Sequence, residues 1–374
     1  MTKTMHFSAL AAIALTIGLV ACGDSDKGDD GGRKVQKQED DGVRVVYVAG
    51  ATADAQGKYT ATLWENGSPQ KLSQRHSEAF SVSASGNDVY VAGYELNTDG
   101  SYRPVLWKNG AAQYLPCEDT SGAGAQALSV HVSDGKVYVA GYEGGLQRGN
   151  DFVVYKAPKV WVDGQGSRLP GDYGEAVSVF ASDGDVYAAG FDAGLGSMSV
   201  LWTNQVPQVL APTVPASSDG LSIGYAESVF VSSGAVYVAG SEGISEGMDA
   251  SIHAVLWKDG VARRVGGQEE SEAYSVFVSG DDVYVAGAVW DAHRSRLLPT
   301  VWQNDTAQHL SSASDAFAYS LFVSPNGDVY AAGGETDWQG GFRPMLWKNG
   351  EVQTLGGEAL GSWASSVFVV EKAE

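Results

Sequence analysis

The sequence predicts an all-β fold, a seven-bladed β-propeller of four-stranded blades whose ring is closed by pairing of the N- and C-terminal strands. Three observations predict it. The string VYVAG, or its near copy VYAAG, recurs seven times with its Tyr at 47, 90, 138, 187, 237, 284 and 330, and a period of about 47 residues suits one four-stranded blade. A Trp preceded by Leu or Val keeps step with it (Trp64, Trp107, Trp161, Trp202, Trp257, Trp302 and Trp347). So does an A-x-S segment, in which Ala79, Ala127, Ala176, Ala226, Ala273, Ala318 and Ala364 are each followed two residues later by Ser.

Taken in chain order, residues 1–21 carry one Lys and then a mostly apolar run from Phe7 to Ala21. Such a run is too short to span a bilayer and suits the h-region of a signal peptide. It ends in Leu19-Val20-Ala21-Cys22, which resembles the bacterial lipobox. That resemblance implies cleavage before Cys22, lipidation of its thiol and, with palmitate, three acyl chains; each buried methylene contributes roughly 0.8 kcal/mol to anchoring. An ordinary secretory peptide with a coincidental Cys is the alternative. Residues 22–44 are then the lipidated Cys and a flexible acidic tether, too poor in large apolar side chains to form a core. Asp24, Asp26, Asp29 and Asp30 resemble signals that send some lipoproteins to the outer face of the outer membrane, or are a solvated spacer.

The formal net charge is −21, and the tether, with seven acids against five bases, holds little of it. So acidic a repeat region repels phosphate backbones, which argues against nucleic acid and against electrostatic docking on anionic lipid. Only two cysteines are present. With Cys22 acylated, no second Cys is left to form a disulfide with Cys117, and stability is left to packing.

Residues 45–374 are the propeller. In the repeat beginning at Ala273, two apolar, β-branched segments flank a Gly-Asp turn and read as a hairpin of strands A and B. The Trp strand, C, runs into Asn or Asp in all seven units and then into Gly in five, the residues a type I′ turn to strand D requires. Pro104, Pro158, Pro299 and Pro344 are expected at the first residue of strand C, where a missing N–H does least harm. The propeller begins with a B strand and ends with an A strand, so the terminal segments are expected to complete one blade and remove a loose edge.

The order A-B-C-D and the VYVAG strand distantly resemble Kelch blades, although the double glycine of that family stands only at Gly333-Gly334. The LWKNG and LGG strings more closely resemble the bacterial extracellular repeats called HAF. That resemblance covers about 45–374 and implies fold and export rather than a reaction.

Repeat Trp and Tyr side chains are expected between blades. The seven Ser of A-x-S (Ser81, Ser129, Ser178, Ser228, Ser275, Ser320 and Ser366) are expected to line a narrow channel holding ordered water. His131, which stands where five units have Phe, is read as a core His. Loops A–B and C–D are short whereas B–C and D–A are long, which puts both long sets on one face of the disc, where binding residues are expected.

Three tryptophans have no place in the repeat: Trp290 and Trp338 in the B–C loops of blades 6 and 7, and Trp363 between blades 7 and 1. With Asp291, Glu335, Asp337 and Arg343 they form the candidate ligand-binding group, near Asp315 and Arg294. Aromatics beside carboxylates and guanidinium groups suit sugar rings, and equally a protein partner. Each Trp folding over its own blade edge is the structural alternative. Acids two residues after the VYVAG glycine (Glu95, Glu143, Asp192, Glu242 and Glu335) are expected to accept hydrogen bonds from loop N–H groups, or to bind calcium at the channel mouth.

Catalytic motifs are sparse. Gly220-Leu221-Ser222-Ile223-Gly224 matches G-x-S-x-G but is placed in a D–A loop without the strand-to-helix turn of a nucleophile elbow. His253 and His293, near Asp249 and Asp291, are a weak candidate metal pair. No catalytic residue is assigned. The leading expectation is a monomeric, cofactor-free, lipid-anchored cell-envelope module at the outer membrane that recognises a glycan or envelope protein on the long-loop face. A glycan hydrolase or lyase using carboxylates at the channel mouth and an envelope scaffold are the alternatives.

Overall fold

Each VYVAG segment is the second strand of a four-stranded antiparallel sheet in the computed structural model, which describes residues 43–118, 124–144, 156–171, 173–195, 198–213, 221–246, 249–336, 341–356 and 361–372. Seven such sheets follow one another, and the propeller is a compact unit of its own from Val43 onward. Cys22, the signal segment and most of the tether lie outside the described residues. Inner strands A of blades 2 to 7 are Ser77–Ser85, Ala125–Ser133, Gly174–Ser182, Leu221–Ser232, Ser271–Ser279 and Ala316–Val323. Blade 1 takes its inner strand from the far end of the chain: Trp363–Lys372 pairs with Val43–Ala53, with Val48 opposite Val367. The ring is closed as the sequence predicts.

The repeat residues explain themselves once the blades are side by side. Every inner strand carries a bulge within A-x-S, where the register shifts by one, as between Ala273 and Ser275. Opposite each bulge stands the VYVAG glycine. A Cβ at Gly287 would overlap the carbonyl oxygen of Glu272, and the other six glycines meet the inner-strand backbone in the same way, so only Gly fits. The C–D turns are type I′ as expected, with positive φ at both central residues: Asn66 at 47° and Gly67 at 78°. Blades 4 and 6 manage without Gly, using Gln205 and Asp305 at φ 71°. The turn Asn or Asp also accepts the N–H of the first Val of strand B, as Asn109 does from Val89 at 2.8 Å.

Packing is distributed over the joints between blades. The core divides into seven clusters, each pairing one blade with the next; Tyr237, Ala239 and Leu256 of blade 5, for example, meet Val276, Val285 and Trp302 of blade 6. All seven repeat tryptophans are at most 1% exposed. Five of them also donate Nε1–H to a carbonyl of the preceding blade, such as Trp257 to Ala211 at 2.7 Å, while Nε1 of Trp107 and of Trp302 has no partner among the described residues.

The half-buried A-x-S hydroxyls also make a contact that one repeat alone does not reveal. Each Ser Oγ accepts the backbone N–H of the residue following the corresponding Ser in the next blade. Thus Ser81 takes Val130, Ser129 takes Val179, Ser178 takes Val229 and Ser228 takes Val276. Ser275 takes Leu321, Ser320 takes Val367 and Ser366 takes Val82. All seven bonds measure 3.1–3.2 Å. Inner strands are sheet edges with unpaired N–H groups, and the circle of hydroxyls satisfies one in every blade.

The prolines also sit differently from expectation. Pro104 is the third residue of its strand, opposite Tyr94. Its carbonyl accepts Leu115 N–H at 3.0 Å, just beyond the end of strand D, so its missing N–H faces a place where the sheet has run out. Where blades 1 and 5 have Ala instead, the N–H is taken by a hydroxyl of the next blade, Ser77 for Ala61 at 2.9 Å and Ser271 for Ala254 at 3.2 Å.

Deleting residues 363–374 is expected to open the circle at two joints and cost more than about 4–5 kcal/mol. Deleting residues 23–42 is expected to leave the unfolding midpoint in denaturant unchanged. Equal midpoints for the two truncations would contradict closure through the C-terminal strand.

Candidate functional site at the channel mouth

Inner strands start on the face of the long D–A loops, so the residues flanking the first Ala of A-x-S form the mouth of the central channel. These two positions are where the repeat departs from itself. The residue before the Ala is Trp363 in blade 1, Glu78 in blade 2, Glu175 in blade 4, Tyr225 in blade 5 and Glu272 in blade 6. The residue after it, unpaired in the bulge, is Phe80 in blade 2, Glu227 in blade 5, Tyr274 in blade 6 and Tyr319 in blade 7.

Two sectors result. Over blades 1 and 2, Trp363 lies 4.8 Å from Tyr59 between ring centroids, Tyr59 5.7 Å from His76, His76 6.4 Å from Tyr94, and Tyr94 4.9 Å from Tyr102. Tyr94 Oη donates to Glu78 Oε1 at 2.6 Å. Over blades 6 and 7, Tyr274 meets Tyr319 edge to face at 5.4 Å, Tyr319 stacks on Phe317 at 5.7 Å, and Tyr274 Oη donates to Glu272 Oε2.

Burial and crowding of like charges set the electrostatics. Burial pushes the Glu227 carboxyl up to about 8, with the negative charges of Glu175 and Glu272 adding to it. Burial likewise pushes Glu78 up to about 7 against the opposing hydrogen bond from Tyr94, and raises Glu272. Glu175 is 2% exposed; Lys156 pairs with its Oε1, and its Oε2 is buried without a partner among the described residues. Acids that hold protons near neutral pH are common where sites do chemistry or bind.

Beyond the mouth the channel changes character. Phe180, Phe230, Phe277, Phe322 and Phe368 contact one another in sequence at 4.7–5.0 Å between centroids. His131 continues this collar at 4.2 Å from Phe180, and burial holds its ring down to about 4. It is a neutral member of an aromatic collar, in keeping with the core reading.

The residues singled out from sequence are scattered. Trp363 belongs to the mouth. Trp290 is the penultimate residue of strand B of blade 6, paired with Leu297 and so not in the B–C loop as expected; it is 39% exposed and makes no ring contact among the described residues. Asp291 caps its own turn, accepting the N–H groups of His293 at 2.9 Å and Arg294 at 3.2 Å and pairing with the Arg294 guanidinium at 3.0 Å. Glu335 accepts the N–H groups of Ala313 and Ser314, and exposed Arg343 lies opposite it across the strand pair. Trp338 and Asp337 lie outside the described residues.

The acids after VYVAG hold loops, as expected. Glu143 accepts Glu118 N–H at 2.9 Å and binds Lys159 and Arg168, and Glu242 accepts Thr213 N–H at 2.8 Å and pairs with Arg264. Glu95 accepts Ser73 at 2.6 Å and Tyr114 at 3.0 Å. Both ring nitrogens of buried His253 are engaged, by Glu269 O and Ser251 Oγ, and Ser222 falls within strand A of blade 5, opposite Ile244, not in the D–A loop. Cys117 is exposed.

No family model matches the chain, and no curated protein matches its sequence. Solved structures match by fold. A Mycobacterium tuberculosis puromycin-hydrolysing peptidase superposes with a TM-score of 0.52 at 12% identity, over 83% of this chain and 51% of that one. Uncomplexed Pyrococcus horikoshii acylaminoacyl peptidase gives 0.51 at 11% identity, over 83% and 50%. A polysaccharide lyase, an ulvan lyase of family PL25, gives 0.48 at 10% identity, over 74% and 81%. This chain spans about half the length of the two peptidases, and identities at this level speak for the fold alone.

Because the folded-state pKa of Glu227 is raised above the ordinary value of 4.5, its contribution to stability is fully present below about 4.5 and is lost as pH rises through about 8. Glu227→Gln is therefore expected to raise the melting temperature relative to the parent at pH 9 by more than at pH 5. Thermal unfolding across that range checks it, and a gap independent of pH would show that Glu227 is not a buried titrating acid.

Proposed function

We propose that the chain is an exported, cell-envelope propeller of the HAF-like type, anchored through Cys22, that binds a glycan at the channel mouth on its long-loop face. The observation that carries the reading is the breakdown of the repeat at the mouth. Strands that otherwise copy A-x-S from blade to blade bear Trp363, Tyr225, Tyr274, Tyr319 and four glutamates at just these positions. Seven equal blades need no such variety for packing. Rings that offer a face to sugar C–H groups, beside carboxyl and phenol groups that exchange hydrogen bonds with hydroxyls, are the components of a carbohydrate site. Over blades 1 and 2 the half-buried rings of Trp363, Tyr59, His76 and Tyr102, with buried Tyr94 between the last two, follow one another at 4.8–6.4 Å between centroids.

A second reading, glycan cleavage, is favoured by one observation: Glu227 and Glu78 retain protons near neutral pH, the state a general acid needs. Product analysis on any bound glycan separates the two.

A glycan array probed with the full chain is expected to return a ligand, and Tyr319→Ala is expected to lower its affinity at least about tenfold, the loss of one stacking contact of ~1.4 kcal/mol. Trp290→Ala fixes the location. Unchanged affinity supports the mouth, whereas a loss matching that of Tyr319→Ala would move the site to the loop rim of blades 6 and 7. Capture of an envelope protein with no glycan bound would replace the reading.

A further inference from the structure

The acid after the VYVAG glycine is answered differently in blade 2. Glu143 and Glu242 pair with Arg168 and Arg264 of their own strands D. At that place in the repeat blade 2 has Tyr114, whose Oη donates to Glu95 Oε2 at 3.0 Å, while Ser73 donates to Oε1 at 2.6 Å. Arg103 stands opposite Glu95 across the strand pair. Its guanidinium lies on the face of Tyr114, with Cζ 3.3 Å from the ring centroid, and no acceptor among the described residues meets its N–H groups. Both side chains belong to exposed residues. Stacking occupies one face of a guanidinium and leaves its N–H edge, a rigid fork that matches a carboxylate with two parallel bonds.

The surroundings favour an anion in spite of the net charge of −21. Arg75, its side chain 51% exposed, approaches the same Glu95 Oε2 at 3.8 Å, and Lys58 Nζ donates at 2.7 Å to the carbonyl of Gln74, the residue before Arg75. Each of the three cations is the chain neighbour of a ring in the aromatic row over blades 1 and 2: Lys58 of Tyr59, Arg75 of His76 and Arg103 of Tyr102. Tyr102, Arg103 and Tyr114 also line one cleft of about 730 Å³ with Asn97, Ser101 and Gln165, a size that suits a small ligand. The nearby acids are already engaged. Glu95 is 5% exposed, Asp54 accepts N–H groups of its own turn, and so does Asp99, which also lines the cleft. Burial pushes Glu78 up to about 7. Distant acids count for little at physiological ionic strength, where the Debye length is about 8 Å.

We propose that this cleft receives the carboxylate of a uronic acid on the N–H edge of Arg103, so that the glycan taken along the aromatic row is an acidic one. This rests on the glycan reading above. Tyr102 packs against the sugar at the cleft and Arg103 fixes its carboxylate. Arg75 and Lys58 attract acidic units further along the row.

The test is an array of uronic-acid oligosaccharides, each beside its carboxyl-reduced counterpart, with sulfated neutral glycans as a third set, probed with the full chain. Pairs that respond are titrated calorimetrically. The acidic member is expected to bind at least about tenfold tighter than its reduced counterpart, the strength of one charge-assisted contact. Arg103→Gln is expected to remove most of that preference while keeping the parent's melting temperature, and Arg103→Lys, which keeps the charge but not the fork, is expected to retain only part of it. Arg263→Gln, in the outermost strand of blade 5, controls for general charge and is expected to leave the preference intact. Equal binding within the pairs, a preference undiminished in Arg103→Gln, an equal loss in Arg263→Gln, or binding of the sulfated set in place of the uronic one would each overturn the inference. Those results leave glycan binding standing. Failure of every glycan, acidic, reduced or sulfated, to bind overturns the reading beneath as well.

Discussion

The hydrogen bond from a backbone N–H of one inner strand to a Ser hydroxyl of the blade before it is the contact on which the rest of the molecule depends. A propeller blade packs only against its neighbours, and its innermost strand is a sheet edge that water cannot easily serve in a narrow channel. Ser at 81, 129, 178, 228, 275, 320 and 366 meets that requirement once per blade and passes the connection on. The bond dictates other features of the repeat. It needs the bulge that turns the Ser towards the next blade, the bulge needs a glycine opposite it, and the circle needs Ser366 and Val367 of the C-terminal strand to be complete. Inter-blade clusters headed by the repeat tryptophans supply most of the apolar burial, and the hydroxyl circle sets their register.

Much of this was legible in the chain because repetition turns a structural rule into a visible string. Asn-Gly after the Trp strand specified the type I′ turn, and a chain that starts in a B strand and stops in an A strand specified closure. The parts that sequence reading misplaced are those that depend on a neighbour from another blade. Nothing near Ser228 in the chain names Val276 as its donor, and Pro104 looks like a strand opener until strand D is seen to end beside it. The pairing of Ala61 with Ser77 is equally invisible in one repeat alone.

The candidate site was less legible, for a related reason. Tryptophans outside the repeat drew attention to the loops, where Asp291 proves to cap its own turn and Glu335 to hold the loop before strand A of its own blade. The signal for the mouth lay inside the repeat, at the two positions beside the first Ala of A-x-S, where Glu, Tyr, Trp and Phe replace one another between blades. A symmetric scaffold becomes a site where its symmetry is broken. Here the breaks gather at one end of the channel, while the other end keeps the near-uniform collar of Phe180, Phe230, Phe277, Phe322 and Phe368.

Cooperation among the blades is the claim from which the account of both fold and mouth proceeds, since a mouth shared by several blades keeps its shape only if they move as one body. Native-state hydrogen exchange measures it directly at the donor N–H groups of Val82, Val130, Val179, Val229, Val276, Leu321 and Val367. The account predicts that all seven exchange only through global unfolding, with one common free energy and one common dependence on denaturant. A graded series, with Val367 in the terminal strand and Val82 in the blade next to it opening far more easily than Val229 across the ring, would show that the blades open one by one and that the hydroxyl circle does not hold the propeller together.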